Sequence, residues 1–189
     1  KTIIGVSLFS FSVLFSATTF AQTTPDYAKL IEQAHQKFKS NNDGKVADYI
    51  PALATYSPKN FAITIATVDG KIYQVGDVNK PFPMESLSKV FTMALAMEQH
   101  GPQVVLDKLG ANATGMPFNS GLAVELTKGA PENPLVNAGA MSTVSLIEAK
   151  DKTDRWNKIL DNLNVWADAK LTVNEPVFKS EMDTNQHNQ

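Results

Sequence analysis

The stretch FAITIATVDGKIYQVGD, residues 61–77, constrains the fold more than any other part of the chain. Two runs rich in β-branched and aromatic residues flank Asp69-Gly70, a pair that favours a two-residue hairpin turn. After a Pro-rich loop, the apolar run ESLSKVFTMALAMEQH (85–100) contains no Gly or Pro, which predicts a buried helix ending at Gly101. The sequence therefore predicts an α/β (α+β) protein in which an antiparallel sheet that includes this hairpin is packed by helices.

Further helices are predicted where apolar residues recur at helical spacing. They lie at residues 25–40, 102–110, 137–150 and 154–168. The segment 111–136 is rich in Gly, Pro and Asn and is predicted as long loops, and the tail 172–189 is polar. We therefore expect a helical region over residues 103–168 in addition to the sheet.

Composition excludes several classes of site. With 189 residues, 43% of them hydrophobic and 19% charged, the chain can form one globular domain with a real core. The formal net charge of −2 gives no reason to expect a nucleic-acid partner. The chain has no cysteine, which excludes thiol nucleophiles and thiolate zinc sites, and its three histidines form no metal-ligand pattern. An enzyme of this composition would therefore have to use Ser, Lys, Tyr or carboxylates.

The first 21 residues differ in composition from the rest of the chain. Lys1 precedes the apolar run TIIGVSLFSFSVLF, and the small residues Thr19 and Ala21 precede a possible cleavage site. This layout is typical of a secretory signal peptide. A membrane anchor is the alternative, but the apolar run is short for a span and no basic cluster follows it. We therefore expect an exported, periplasmic protein that begins near Gln22 and has no membrane attachment after signal removal.

Ser86 and Lys89 form an S-x-x-K pair at the start of the predicted helix. Positions three apart share a helix face, with Cβ atoms about 5–6 Å apart, whereas neighbours such as Ser88 and Lys89 point apart. A lysine in the first turn of an apolar helix has a lowered pKa, because the helix dipole and desolvation both disfavour its charge. A neutral amine there could take the proton of Ser86 and activate it as a nucleophile. The alternative, a capping serine and a surface lysine, stays open on these residues alone.

A strand, a loop and S-x-x-K at a helix start are also the layout of serine β-lactamases and penicillin-binding proteins. Those enzymes carry S-x-N or Y-x-N next and K-T-G later. In this chain the single S-x-N, at 40–42, precedes Ser86, and K-T-G is absent. A lactam enzyme is therefore poorly supported by the sequence.

Five segments, taken in order, resemble the successive motifs of the serine-dependent glutaminases, which have a β-lactamase-like fold. They are GKVADYIPALA, PFPMESLSKVF, PFNS, NPLVNAGAM and FKSEMDTNQHN, and the resemblance covers about residues 25–189. Five motifs in one order are far more specific than S-x-x-K alone. The resemblance implies a serine β-lactamase/DD-peptidase-like fold and hydrolysis of L-glutamine to L-glutamate and ammonia. It also implies that Ser86 is the nucleophile, forming a γ-glutamyl ester, and that Lys89 is its base. On this mechanism we expect no metal and no organic cofactor.

The same resemblance implies a set of substrate-binding residues that includes Ser86. Tyr49 would line the glutamine pocket, and Asn137 would hydrogen-bond the substrate. Glu181 would pair with the α-amino group, and Asn188 would help to hold the α-carboxylate. Without the family, Tyr49 could be a core aromatic and Asn137 a helix cap. Glu181 would then be a surface carboxylate and Asn188 part of a frayed terminus.

Residues 22–189 are expected to be the N-terminal part of the catalytic domain, because the family's domain continues further. The tyrosines that close the pocket and the strand that supplies a second oxyanion-hole amide are expected downstream. With that C-terminal portion missing, we expect little activity from this chain alone, and we expect a homo-oligomer. Two alternatives stay open. One is another acyl-serine enzyme of the β-lactamase or penicillin-binding type, and the other is a non-catalytic amino-acid-binding or assembly fragment.

Overall fold

The computed structural model describes residues 25–184. The expected signal peptide (1–21) and Asn188 lie outside the described residues. The described residues divide into two compact units, one formed by 25–40 with 61–78 and the other by 41–60 with 79–184.

The first unit joins one helix to the predicted hairpin. Helix α1 (Tyr27–Phe38) begins at Asp26, whose carboxylate accepts a hydrogen bond from the Lys29 backbone amide at 3.0 Å. Strands β1 (Ala62–Ala66) and β2 (Ile72–Gly76) pair antiparallel. The helix packs on this hairpin, with the rings of Tyr27 and Tyr73 5.6 Å apart. The prediction of an antiparallel hairpin is therefore confirmed.

The turn of the hairpin differs from the prediction in one respect. The Gly70 amide donates to the Thr67 carbonyl at 2.9 Å, and the Thr67 amide donates to the Lys71 carbonyl at 3.0 Å. These two bonds close a three-residue loop, so the prediction of a two-residue turn at Asp69-Gly70 is wrong. Gly70 has a φ of +81°, the left-handed conformation that such a loop requires at its last position.

The second unit is built around helix α2 (Ser88–His100), which ends at Gly101 as predicted. Three further helices contact it: α3 (Pro102–Leu109), α5 (Asn137–Leu146) and α6 (Lys152–Ala167). The buried core that they share consists of Ala96, Val105, Leu109, Ile147 and Ile159. The predicted helical region is therefore confirmed.

Helix α2 is less buried than its composition predicts. Thr92 and Ala96, one turn apart, are its buried residues, whereas Val90 is 48% exposed and Leu87, just before the helix, is 59% exposed. The helices that pack on α2 cover the face of Thr92 and Ala96. Among the described residues, the prediction of a buried helix therefore holds for one face of α2 only.

Two helices lie where the sequence predicts none. Helix α4 (Gly121–Leu126) falls in the predicted loops and begins at Ser120, whose hydroxyl accepts from the Ala123 amide at 3.3 Å. Helix α7 (Glu175–Thr184) falls in the polar tail. Val177 is the buried residue of this helix, and it packs against Ile50 and Leu53. This contact joins segments from the beginning and the end of the second unit.

Among residues 25–184, no helix combines the length and apolar character needed to cross a membrane.

Candidate active site

The residue before Ser86 adopts an unusual backbone conformation. A single 3₁₀ turn, Glu85–Leu87, leads directly into α2. Glu85 has a φ of +47°, which is uncommon for a residue other than glycine and persists where surrounding structure enforces it. Part of that support is visible, since the Ser88 hydroxyl donates to the Glu85 carbonyl at 2.7 Å.

The two serines of this turn differ in what their hydroxyl groups do. The Ser86 side chain is exposed, and among the described residues its hydroxyl makes no hydrogen bond. The Ser88 hydroxyl already donates to backbone. Ser88 and Lys89 both line one cavity, but the Ser88 hydroxyl and the Lys89 amine bond to different groups. Among the described residues, no hydrogen bond joins the Ser86 hydroxyl to Lys89, whose ammonium donates to two other groups.

Lys89 reaches across from α2 to the residues that begin α5. Its Nζ atom donates to the Asn137 Oδ1 atom at 2.6 Å and to the Leu135 carbonyl at 3.0 Å. The Phe118 ring centroid lies 6.0 Å from the same nitrogen. Burial lowers the pKa of Lys89, as predicted, and no charged side chain among the described residues contributes to this shift. Lys89 is thus half-buried and held by two hydrogen bonds, which counts against the surface-lysine alternative.

Asn137 is the first residue of α5, and Val136 occupies the capping position without a side-chain hydrogen bond. The Asn137 side chain instead accepts from Lys89, while its backbone amide donates to the Phe118 carbonyl at 2.9 Å. The helix-cap alternative for Asn137 is therefore wrong, and its amide lies beside the amine of Lys89.

A cavity of about 220 Å³ lies between α2 and α5. Lys89 is the ionisable residue in its lining, and Thr92 and Thr143 direct their hydroxyl groups to carbonyls of their own helices. The remaining lining residues are Ser88, Ala140, Met141 and Val144. Lys89 therefore borders a cavity whose walls offer few free polar groups.

A second group of side chains brings two carboxylates and a phenol together. Burial, then Glu85 and then Glu181 raise the pKa of Tyr49. Burial and then Glu181 raise the pKa of Glu85. Tyr49 precedes Ile50, and Glu181 lies on α7, so the packing of Val177 on Ile50 holds them near each other.

The structure thus brings Tyr49 and Glu181 together, and it brings Lys89 and Asn137 together. The sequence did not single out Glu85, although its position directly before Ser86 was a signal that could have done so. Within residues 25–184, no three His, Asp or Glu side chains cluster in a way that could hold a metal ion.

Comparison with known proteins points in one direction. The glutaminase family model matches residues 44–189. A curated protein named glutaminase from Colwellia psychrerythraea is 50% identical over 164 residues, which are 87% of this chain and 53% of that protein. The chain spans about half the length of the curated relatives it matches.

Solved structures agree with the sequence comparison. The structure of the probable glutaminase ybaS superposes with a TM-score of 0.82 at 46% identity, covering 85% of this chain and 52% of that one. The structure of Mglu in its glutamate form superposes with a TM-score of 0.72 at 29% identity, covering 82% of this chain and 36% of that one. These matches confirm the mixed α/β, β-lactamase-like fold. The family model matches most of the chain, and the lysine of its S-x-x-K pair bonds to the first residue of α5. This chain belongs to the glutaminase family.

Proposed function

We propose that the complete protein hydrolyses L-glutamine to L-glutamate and ammonia through a γ-glutamyl ester on Ser86. The observation that carries the proposal is the state of Lys89. Its pKa is lowered by burial, and it lies three residues after an exposed serine in a chain of the glutaminase family. A lysine that is easily neutralised is suited to accept the proton of a serine nucleophile.

The first step is attack on the side-chain amide of glutamine. Neutral Lys89 takes the proton of Ser86 as the serine oxygen attacks the amide carbon. The Ser86 backbone N–H, at the helix start, stabilises the tetrahedral oxyanion in part. Protonated Lys89 then gives its proton to the leaving nitrogen, which departs as ammonia as the C–N bond breaks. Water hydrolyses the remaining ester to glutamate, and Ser86 regains its proton. Catalytic hydrogen bonds often tighten only when substrate binds, so this step does not require a Ser86–Lys89 hydrogen bond before binding.

Recognition of the free amino acid follows from the charges around the turn. Glu181 accepts the α-ammonium group, with Glu85 adding negative charge beside it. Tyr49 lines the pocket next to these carboxylates, and Asn137 hydrogen-bonds the substrate from the Lys89 side. Asn188 helps to hold the α-carboxylate. The glutamate form of Mglu, a structural relative, is in keeping with an amino acid as ligand.

The test uses purified complete protein, L-glutamine and enzymatic measurement of released ammonia. Ser86→Ala should lower kcat by at least about 10³-fold, because it removes the nucleophile. Ser88→Ala is the matched control and should keep some activity, because it leaves the proposed nucleophile in place and removes only a hydrogen bond to the Glu85 carbonyl. Absence of ammonia release by the parent protein would overturn the proposal. A dead Ser88→Ala variant beside an active Ser86→Ala variant would reassign the nucleophile.

We also propose that residues 1–21 direct export to the periplasm and that the mature protein is a homo-oligomer. The composition of the first 21 residues supports export. N-terminal sequencing of secreted material should find a start near Gln22, and sedimentation of that material should give a mass above that of one chain. A retained Lys1 in a membrane fraction would favour an anchor instead.

A further inference from the structure

Asn133 organises the turn that leads into α5. Its Oδ1 atom accepts hydrogen bonds from the backbone amides of Leu135 at 2.9 Å and Val136 at 3.0 Å. Its Nδ2 atom donates to the Asn112 carbonyl at 2.8 Å. One half-buried side chain thus ties together three backbone groups, a pattern in which asparagine substitutes for a backbone turn.

This turn positions the two groups that accept hydrogen bonds from Lys89. The amide of Leu135 is bonded to Asn133, and the carbonyl of the same residue accepts from Lys89 at 3.0 Å. Val136, the second residue held by Asn133, directly precedes Asn137, which is the other acceptor of Lys89 at 2.6 Å. Both groups that contact the lysine amine therefore depend on the turn that Asn133 closes.

The backbone of Asn133 also sets how closely α5 approaches. A Cβ on Gly139 would overlap the Asn133 carbonyl oxygen and lie 2.7 Å from its carbonyl carbon. Gly139 therefore allows the first turn of α5 to rest directly on the turn that precedes it. This packing leaves the start of α5 little freedom while Asn133 is in place.

We infer that Asn133 is a positioning residue, which acts through the Leu135 carbonyl and the Asn137 side chain to hold the amine of Lys89 in its working position. The inference rests on the proposed function, since it assigns Lys89 the role of base for Ser86. Asn133 itself does not contact the reacting atoms.

The experiment compares Asn133→Ala with the complete parent protein in two measurements. Loss of the turn should lower kcat for glutamine by about 10- to 100-fold, because small misplacements of catalytic groups have effects of this size. The second measurement titrates the Lys89 side chain by NMR after ¹³C labelling of lysine, with Lys89→Arg identifying the signal. The Leu135 carbonyl stabilises the charged form, so its loss should lower the pKa of Lys89 further.

Asn112→Ala is the matched control. Its backbone carbonyl accepts from Asn133, but among the described residues its own side chain makes no hydrogen bond, so both readouts should stay at the parent value. An unchanged Lys89 titration in folded Asn133→Ala would overturn the inference, because a structural role lowers only the folded fraction. A higher pKa would also overturn it, since that would mean entry of water.

A further variant covers the case in which Asn133→Ala does not fold. Asn133→Ser keeps an acceptor oxygen for the two amides and loses the donor to Asn112, so it should fold and keep the parent titration. A serine variant that folds with a shifted Lys89 pKa would count against the acceptor role. The titration of Lys89 needs no turnover, so it tests the positioning role of Asn133 by itself. Absence of glutamine hydrolysis would overturn the proposed function and leave this test intact.

Discussion

Glu85 and Lys89 lie four residues apart, and their pKa values are shifted in opposite directions. Burial lowers the pKa of the lysine, while burial and Glu181 raise the pKa of the glutamate. Both shifts favour the neutral form at the start of α2. The Glu85 backbone is also in the left-handed region, directly before the proposed nucleophile. Strain and perturbed titration at one turn are typical of a functional site.

The raised pKa of Glu85 makes stability depend on pH. A carboxyl group whose folded pKa is raised contributes stability that is complete below its unfolded pKa, about 4.3, and lost as pH rises through the folded pKa. The unfolding free energy of Glu85→Gln should therefore fall less than that of the parent protein as pH rises from the unfolded pKa through the folded pKa. The gain at neutral pH should stay below about 1 kcal/mol, because Glu85 is only partly buried. Urea denaturation of both complete proteins, at several pH values from the unfolded pKa to neutral pH, measures the unfolding free energy.

Glu98→Gln is the control for that change, since Glu98 is an exposed carboxylate later on α2. It should leave the pH dependence of the parent protein intact. If Glu85→Gln shows the same decline as the parent, the carboxyl group of Glu85 does not titrate differently in the folded and unfolded states.

At the scale of elements, the decisive junction is the one between α2 and α5. Helix α5 carries Asn137 at its first position, and Lys89 on α2 bonds to it. The two helices enclose the cavity beside Lys89. The geometry of the proposed base is therefore set by how α5 begins rather than by α2 alone.

Gly139→Ala should disturb this junction because its Cβ would overlap the carbonyl oxygen of Asn133, a backbone atom that cannot turn aside. Overpacking of this kind typically costs about 1–3 kcal/mol, and kcat should fall with it. Gly121→Ala is the matched control, since Gly121 is also a glycine in a first helical turn but a Cβ added there would meet no atom within 4 Å. Equal unfolding free energies for the two variants in urea would contradict the close approach.

At the scale of the whole molecule, the second unit assembles segments that are far apart in the chain. The Ala52 amide donates to the Ser180 hydroxyl at 3.2 Å, across 128 residues of sequence. Ile50, Leu53 and Val177 form a small core at the same place, separate from the larger one around α2. These contacts bring Tyr49 and Glu181 to one place.

The larger core should be the main source of stability in this unit. Ile147 is 1% exposed, and Ile147→Ala should lower the unfolding free energy of the complete protein by about 2–5 kcal/mol through lost burial and a residual cavity. Val165→Ala, at a site on α6 that is 79% exposed, should change it by less than about 0.5 kcal/mol. Urea or thermal denaturation measures the loss of unfolding free energy in both variants. If Ile147→Ala loses as little as Val165→Ala, the core rearranges to fill the space left by the removed atoms.

The sequence by itself determined the features that depend on neighbouring residues. Turn chemistry at Gly70 predicts the hairpin, and apolar periodicity predicts α2 and its end at Gly101. The position of Lys89 in the first turn of an apolar helix predicts its lowered pKa. Each is a local property, so a short window of sequence contains it.

Tertiary structure alone decided which of the singled-out residues meet. Lys89 and Asn137 are 48 residues apart, and their contact depends on the turn closed by Asn133. The placement of Glu85 beside Glu181 depends on α7. The buried Val177 and the hydrogen bond from Ala52 to Ser180 hold this helix, which its polar sequence does not predict. Such contacts arise from the packing of remote segments, and no local pattern of residue types encodes the distance between them.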